Sequence, residues 1–118
     1  MAGWLHTGRT RREAGRIAFR VALREGLLDL HETVSRFVAA VATQAEAHAA
    51  TLWADTTYLQ PAQPSTFGHY LGGFGAEAAR HLDRIERAHE GNDRSPAGEG
   101  GVGGTRVPVD RLRLAELI

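Results

Sequence analysis

Residues 10–50, TRREAGRIAFRVALREGLLDLHETVSRFVAAVATQAEAHAA, decide how the rest of the chain is read. Apolar side chains recur at Phe19, Leu23, Leu27, Leu30, Val34, Val38, Val41 and Ala45. The steps of three and four residues are the spacing of one helical face. Ile17, Val21, Leu28 and Phe37 widen that surface, and Glu25, Asp29, Glu32, Arg36 and Glu46 fall between the stripe positions. Thr10-Arg11-Arg12-Glu13 has the form of a capping box, in which the first and last residues satisfy opposite backbone N–H groups. Gly15 and Gly26 weaken the helix slightly. The pattern predicts a helix over about 10–50, roughly 60 Å long at 1.5 Å per residue.

Downstream, TLWADTTYLQPAQP breaks the period. Pro61 and Pro64 disfavour a continuous helix, and residues 51–64 read as a connector. A second helical face follows at Phe67, Leu71, Phe74, Ala78, Leu82, Ile85 and Ala88, predicting a helix over about 65–90 with Ser65 or Thr66 as its cap. Gly68, Gly72, Gly73 and Gly75 are costly inside it, which points to close approach by another backbone or to a frayed first turn. Residues 91–108 form a glycine-rich loop, and Asp110 can cap a short helix over 110–118. The expected fold is all-α: two long antiparallel amphipathic helices, a glycine-rich loop and a short C-terminal helix.

Composition narrows the function. The chain has 118 residues and balances 14 acidic against 14 basic side chains, which disfavours both a strongly basic nucleic-acid binder and an acidic disordered tail. It has no cysteine, so disulfides and thiol catalysis are excluded. All 14 basic residues are arginine, which removes Schiff-base and phosphate-loop lysines. There is no apolar run long enough to span a membrane, and MAGWLHTGRTRRE lacks the apolar core of a signal peptide, so a cytoplasmic location is expected. The chain stops on Ile118 with no C-cap, as if in mid-element. Two such helices cannot bury their apolar faces against each other and a short tail alone, so further parts of the chain or partner subunits are expected.

Between Arg9 and Arg24 stand six arginines and one acid, Glu13. Most such arginines read as a solvated face. Arg11 and Arg12 differ, because they lie in a first helical turn, where free N–H groups and the helix dipole favour an anion. GEGGVGGT is close to the phosphate-loop pattern G-x-x-x-x-G-K-S/T, but Gly104 replaces the lysine and no strand precedes it, so a close-packing turn is the better account. The histidines (His6, His31, His48, His69, His81 and His89) have no metal-ligand spacing, and no metal is expected. Thr57-Tyr58-Leu59-Gln60 gathers a hydroxyl, a phenol and an amide beside two prolines, and reads by itself as an interhelix turn.

Three stretches together resemble argininosuccinate lyase, of the fumarase/aspartase superfamily: HTGRTRRE (6–13), TTYLQPAQPSTFGHYL (56–71) and SPAGEGGVGGTRVPVDR (95–111). The family writes them as H-T-G-R-S-R-N-D-Q, Y-T-H-L-Q-x-A-Q-P-x-T-F-x-H and S-P-L-G-x-G-A-L-A-G-T-x-x-x-I-D-R. Order and separation agree, and A-E-x-H at 45–48 fits the stretch before the second motif. The resemblance covers essentially the whole chain and places it as a central segment of that enzyme.

The resemblance implies a long-helix bundle that assembles as a homotetramer, each active site drawing on three subunits. It implies elimination of arginine from argininosuccinate to give fumarate, a step of arginine biosynthesis, with no cofactor. A base removes the proton beside a carboxylate, and an acid assists the departing nitrogen. Thr10 and Arg11 match the Ser-Arg that binds substrate carboxylate. Arg12 stands where the family has a substrate-binding Asn, and Glu13 and Ala14 replace Asp-Gln. Thr57 and Gln60 match substrate-contacting positions, and Tyr58 stands at the family's proton-transferring His. A phenol is a weak base at neutral pH. The family's initial domain and its later serine- and lysine-bearing loop lie outside this sequence, so an incomplete lyase is the first expectation. Two others stand beside it: a non-catalytic helical partner of a lyase assembly, and a superfamily lyase acting on a different dicarboxylate.

Overall fold

The computed structural model describes residues 2–118. A short 3₁₀ helix (Ala2–His6) precedes helix α1 (Arg11–Ala47). Strands β1 (Leu52–Thr57) and β2 (Gln60–Thr66) lead into helix α2 (Phe67–Asn92), and helix α3 (Arg111–Glu116) follows the glycine-rich loop. The protein is a helical-bundle fold with a small two-stranded sheet. It divides into two compact units, residues 28–87 and residues 1–27 with 88–118, and α1 and α2 contribute to both.

In the unit of residues 28–87, α1 and α2 run antiparallel. His31 Nε2 lies 3.2 Å from Glu86 Oε1, and a Cβ added at Gly75 would stand 3.2 Å from Val41 Cγ1. One added at Gly68 would meet Ala49 Cα at 2.8 Å and the Ala45 carbonyl closer still, so the two backbones touch there. Gly72 and Gly73 face open space. The glycine cluster thus serves close approach at two of its members.

The half-buried positions of each helix follow a seven-residue repeat. On α1 they include Ile17, Arg20, Arg24, Leu27, His31, Val34, Val38, Val41 and Ala45; on α2 they include Leu71, Gly75, Ala78, Leu82, Ile85, His89 and Asn92, with Gly68 buried at the head of the row. This is the a/d spacing of a coiled-coil seam. It coincides with the expected stripe at Leu27, Val34, Val38, Val41 and Ala45 on α1 and at Leu71, Ala78, Leu82 and Ile85 on α2, while Phe19, Leu23 and Leu30 on α1, and Phe74 and Ala88 on α2, stand off the seam and exposed. Phe19, Leu23, Leu30 and Phe37 fall on a second row of the same three-and-four spacing, one position before Arg20, Arg24, His31 and Val38. Helix α1 therefore carries two apolar rows, and only one of them meets α2. Among the described residues no side chain is fully buried, and Phe19 remains 65% exposed.

Where an irregular connector was expected, residues 52–66 form an antiparallel hairpin pairing Leu52 with Thr66, Trp53 with Ser65, Ala54 with Pro64, Thr56 with Pro61 and Thr57 with Gln60. Proline lacks a donor and breaks interior strands, but in a two-stranded ribbon each strand has a free edge where Pro61 and Pro64 cost little. Between Ala54 and Thr56 the register shifts, giving β2 one extra residue. Aromatic rings anchor the hairpin base: Trp53 lies 5.0 Å from Phe67 and 5.3 Å from Tyr70, and His48 meets Phe67 edge-on at 5.3 Å. Phe67 N–H donates to the Thr51 carbonyl at 2.9 Å, and Thr66 Oγ1 caps α2 by accepting the His69 N–H.

In the other unit, three of the six N-terminal arginines are structural, Arg9 by donating from Nη2 to the Leu5 carbonyl at 2.6 Å. Arg20 Nη1 donates to the carbonyls of Asn92 and Arg94 at 3.2 and 3.0 Å, and Asn92 Nδ2 returns a bond to the Arg20 carbonyl at 2.9 Å. Arg24 pairs with Asp93 at 3.1 Å. Cations thus meet the carbonyl end of α2, where the helix dipole favours them. Asp110 caps α3 by accepting the Arg113 N–H at 2.9 Å.

Candidate functional site

The six residues singled out in the sequence fall into two groups, one in each unit. Thr10, Arg11 and Arg12 lie at the start of α1. Thr10 is half-buried, and both arginines are exposed. The first-turn amides of Arg11 and Arg12 have no intrahelical carbonyl to bond, so free N–H groups and the positive end of the helix dipole stand in the same turn as two exposed arginines. That arrangement suits a carboxylate.

Glu13 closes this end from inside. Its side chain is 3% exposed. Oε2 accepts the Thr10 N–H at 2.7 Å, the side-chain half of the capping box, and Oε1 accepts the Gly98 N–H at 2.9 Å. The Thr10 amide foremost, with the loop amides of Gly98, Glu99 and Gly100, holds its carboxyl below the usual carboxylate range, against the opposing effect of burial. Gly98 and Gly100 have φ of 84° and 74°, the left-handed backbone that turns loop amides toward the carboxylate. The near-phosphate-loop sequence is thus a nest filled by the protein's own anion. Because the folded carboxyl titrates below its ordinary value of 4.5, this stabilisation is complete above that pH. It is lost as pH falls through the lowered folded value. Acid titration of the 118-residue chain is expected to release the Gly98 amide, seen as faster hydrogen exchange, and Glu13→Gln is expected to remove that pH dependence.

The second group sits at the hairpin tip. Thr57 and Gln60 are register partners that flank a two-residue turn, Tyr58-Leu59. Both turn residues have positive φ, 49° and 63°, the sign pattern of a type I′ turn, usually built from Asn and Gly. Tyr58 is 97% exposed, so the phenol projects from the molecule with a hydroxyl and an amide at its base. A left-handed non-glycine residue costs about 1–2 kcal/mol. Leu59→Gly is therefore expected to stabilise the 118-residue chain by about 1 kcal/mol in chemical denaturation, while leaving the phenol in place.

Two cavities border these groups without being lined by them. One of about 310 Å³ is lined by Leu5, Gly8, Glu13, Ile17, Ala97 and Leu114, among others. Another of about 360 Å³ lies along the hairpin between Trp53 and Gln63. Among the described residues there is no cluster of His, Asp and Glu able to hold a metal ion. No described helix is long and apolar enough to cross a membrane. The sequence pointed to the Thr10–Arg12 end and the Thr57–Gln60 tip, but gave Glu13 only its local cap. The signal for the rest was its standing as the sole acid among six arginines.

The sequence model of a family described as "Lyase" matches residues 1–118. The chain belongs to this lyase family. It is 36% identical over 117 residues to argininosuccinate lyase 1 of Mesorhizobium japonicum, covering 99% of the chain and 25% of that relative. It is 38% identical over 117 residues to argininosuccinate lyase of a Chelativorans species, with the same coverage. Against argininosuccinate lyase of Bartonella bacilliformis it is 37% identical over 122 residues, covering 100% of the chain and 25% of the relative. The lyase chain thus spans about a quarter of the length of the relatives it matches. Among solved structures, EDDS lyase in complex with formate superposes with a TM-score of 0.92 and 34% identity, over 98% of this chain and 23% of that one. An EDDS lyase variant with bound fumarate gives the same values.

Proposed function

We propose that the chain is a substrate-binding segment of an argininosuccinate lyase-like enzyme, whose reaction releases arginine from argininosuccinate and leaves fumarate. The observation that carries this reading is that the two units each present one exposed group, a cationic helix end and the Thr57-Tyr58-Leu59-Gln60 tip, at the positions where the resembling enzymes bind and process substrate. Thr10 and Arg11 bind a substrate carboxylate through hydroxyl, guanidinium and helix amides. Thr57 and Gln60 hold the substrate beside the group at position 58. In the elimination a base takes the proton from the carbon beside a carboxylate, the C–N bond breaks, and its electron pair leaves with the nitrogen. Proton transfer to that nitrogen completes the step. Tyr58, at the family's histidine position, is the residue assigned to proton transfer. No cofactor enters this scheme.

The uncovered apolar row Phe19, Leu23, Leu30 and Phe37 supports assembly with further copies or further lyase segments. A homotetramer with sites shared between subunits, in the cytoplasm and serving arginine biosynthesis, is the setting proposed. The same row is compatible with a helical partner of a lyase assembly that does no chemistry itself.

A second reading concerns the substrate. Arg12 replaces an amide by a cation, and the fold neighbours at a TM-score of 0.92 are EDDS lyases, one of them holding fumarate. Both observations support a reading in which the chain serves a different dicarboxylate. The test is a chimera in which residues 1–118 replace the matching quarter of the Mesorhizobium japonicum relative. Fumarate formation from argininosuccinate supports the first reading, and formation only from other N-succinyl amines supports the second. No fumarate from either, by a chimera shown to be folded and assembled, counts against both.

A further inference from the structure

We infer that Glu13 is a positioning residue for the dicarboxylate site, an inference that rests on the reading of Thr10 and Arg11 as carboxylate ligands. Its charge faces inward. Glu13 is buried while Arg11 and Arg12 beside it are exposed, so the only acid in this stretch of α1 takes no part in neutralising them from outside. The two oxygens divide their work. Oε2 fixes the backbone of Thr10, whose hydroxyl belongs to the site, and Oε1 holds Gly98 of the loop. One carboxylate thereby sets the helix end and the loop in a single geometry.

The loop has little freedom to adjust by itself. Pro96 and Ala97 are buried, Ser95 Oγ accepts the Ala97 N–H at 3.2 Å, and a Cβ added at Gly98 would meet Arg111 Cγ at 2.6 Å. The second consequence is selection. A nest of loop amides is an anion site in its own right. With Glu13 seated in it, an external carboxylate is directed outward to Arg11 and Arg12 instead of into the loop. Glu13 touches no substrate in this scheme and acts through Thr10, Arg11 and the loop.

The experiment uses the ¹⁵N-labelled 118-residue chain and its Glu13→Gln and Glu13→Asp variants, with fumarate as the probe. Hydrogen exchange at Gly98 and Thr10 reads the tie itself. Fumarate titration, followed at the amides of residues 10–12, reads the site. Glu13→Gln is expected to speed Gly98 exchange and weaken fumarate binding by about tenfold, the worth of one charge-assisted contact that the displaced helix end no longer makes to the ligand. Glu13→Asp, which keeps the charge, is expected to restore binding to within about threefold of the parent. Unchanged Gly98 exchange in Glu13→Gln would overturn the tie. Faster exchange with unchanged fumarate affinity would reduce Glu13 to a structural residue and overturn the positioning role. If the parent chain protects Gly98 yet shows no fumarate-dependent shift at residues 10–12, the binding reading fails, and the positioning role falls with it.

Discussion

Tyr58→His, introduced into the chimera carrying residues 1–118, is expected to raise fumarate formation from argininosuccinate by about 10²–10⁴-fold, the usual worth of a positioned acid or base. Geometry makes the gain accessible. The residue at 58 is the first of two in a tight turn, flanked by the paired Thr57 and Gln60, and nothing packs on its ring: it is 97% exposed. An imidazole there inherits the same projection, and histidine tolerates the left-handed backbone better than most side chains. Steady-state rates at saturating substrate check this. A rate unchanged or lowered by the substitution would show that the phenol itself does the work and that the chemistry at this tip differs from the family's. Adding Arg12→Asn separates substrate choice from proton transfer. If the cation sets substrate preference, it changes KM for argininosuccinate more than kcat.

The second large effect concerns stability. Gly68→Ala is expected to destabilise the 118-residue chain by about 1–3 kcal/mol. Alanine by itself favours a helix by about 1 kcal/mol over glycine, so the sign is decided by the neighbours. A Cβ at 68 meets backbone on α1, Ala49 Cα at 2.8 Å and Ala49 N at 2.9 Å, and backbone cannot swing aside as a side-chain end can. Gly68 also donates its N–H to the His48 carbonyl at 3.0 Å, so shifting it disturbs the junction of α1 and α2. Gly73→Ala is the control. It faces open space in the same helix and is expected to stabilise by up to about 1 kcal/mol. Urea denaturation of the two variants compares them directly. Stabilisation by both would mean that the helices do not approach at Gly68.

The features legible in the sequence were those set by near neighbours along the chain. Periodicity marks α1 and α2, because a helical face is written in steps of three and four. The capping role of Glu13 is written in four consecutive residues. What escaped depends on distant pairing. The phase of the seam is ambiguous because α1 is apolar on two rows, and only the presence of α2 chooses Leu27, Val34 and Val41 over Phe19, Leu23 and Leu30. The hairpin is masked because Pro61 and Pro64 read as breakers and its turn is Tyr-Leu instead of Asn-Gly. Its pairing is what makes Thr57 and Gln60 opposite each other. The bond from Glu13 to Gly98 joins residues 85 apart, and no local pattern encodes it.

The candidate residues divide between two units, and the chain spans about a quarter of the relatives it resembles. We propose that this polypeptide carries pieces of a lyase centre that further lyase segments complete. The most direct measurement is fumarate release when the purified 118-residue chain is incubated with argininosuccinate. No release above the rate without protein is expected; turnover that scales with the concentration of this chain, and disappears in Arg11→Gln, would overturn that proposal.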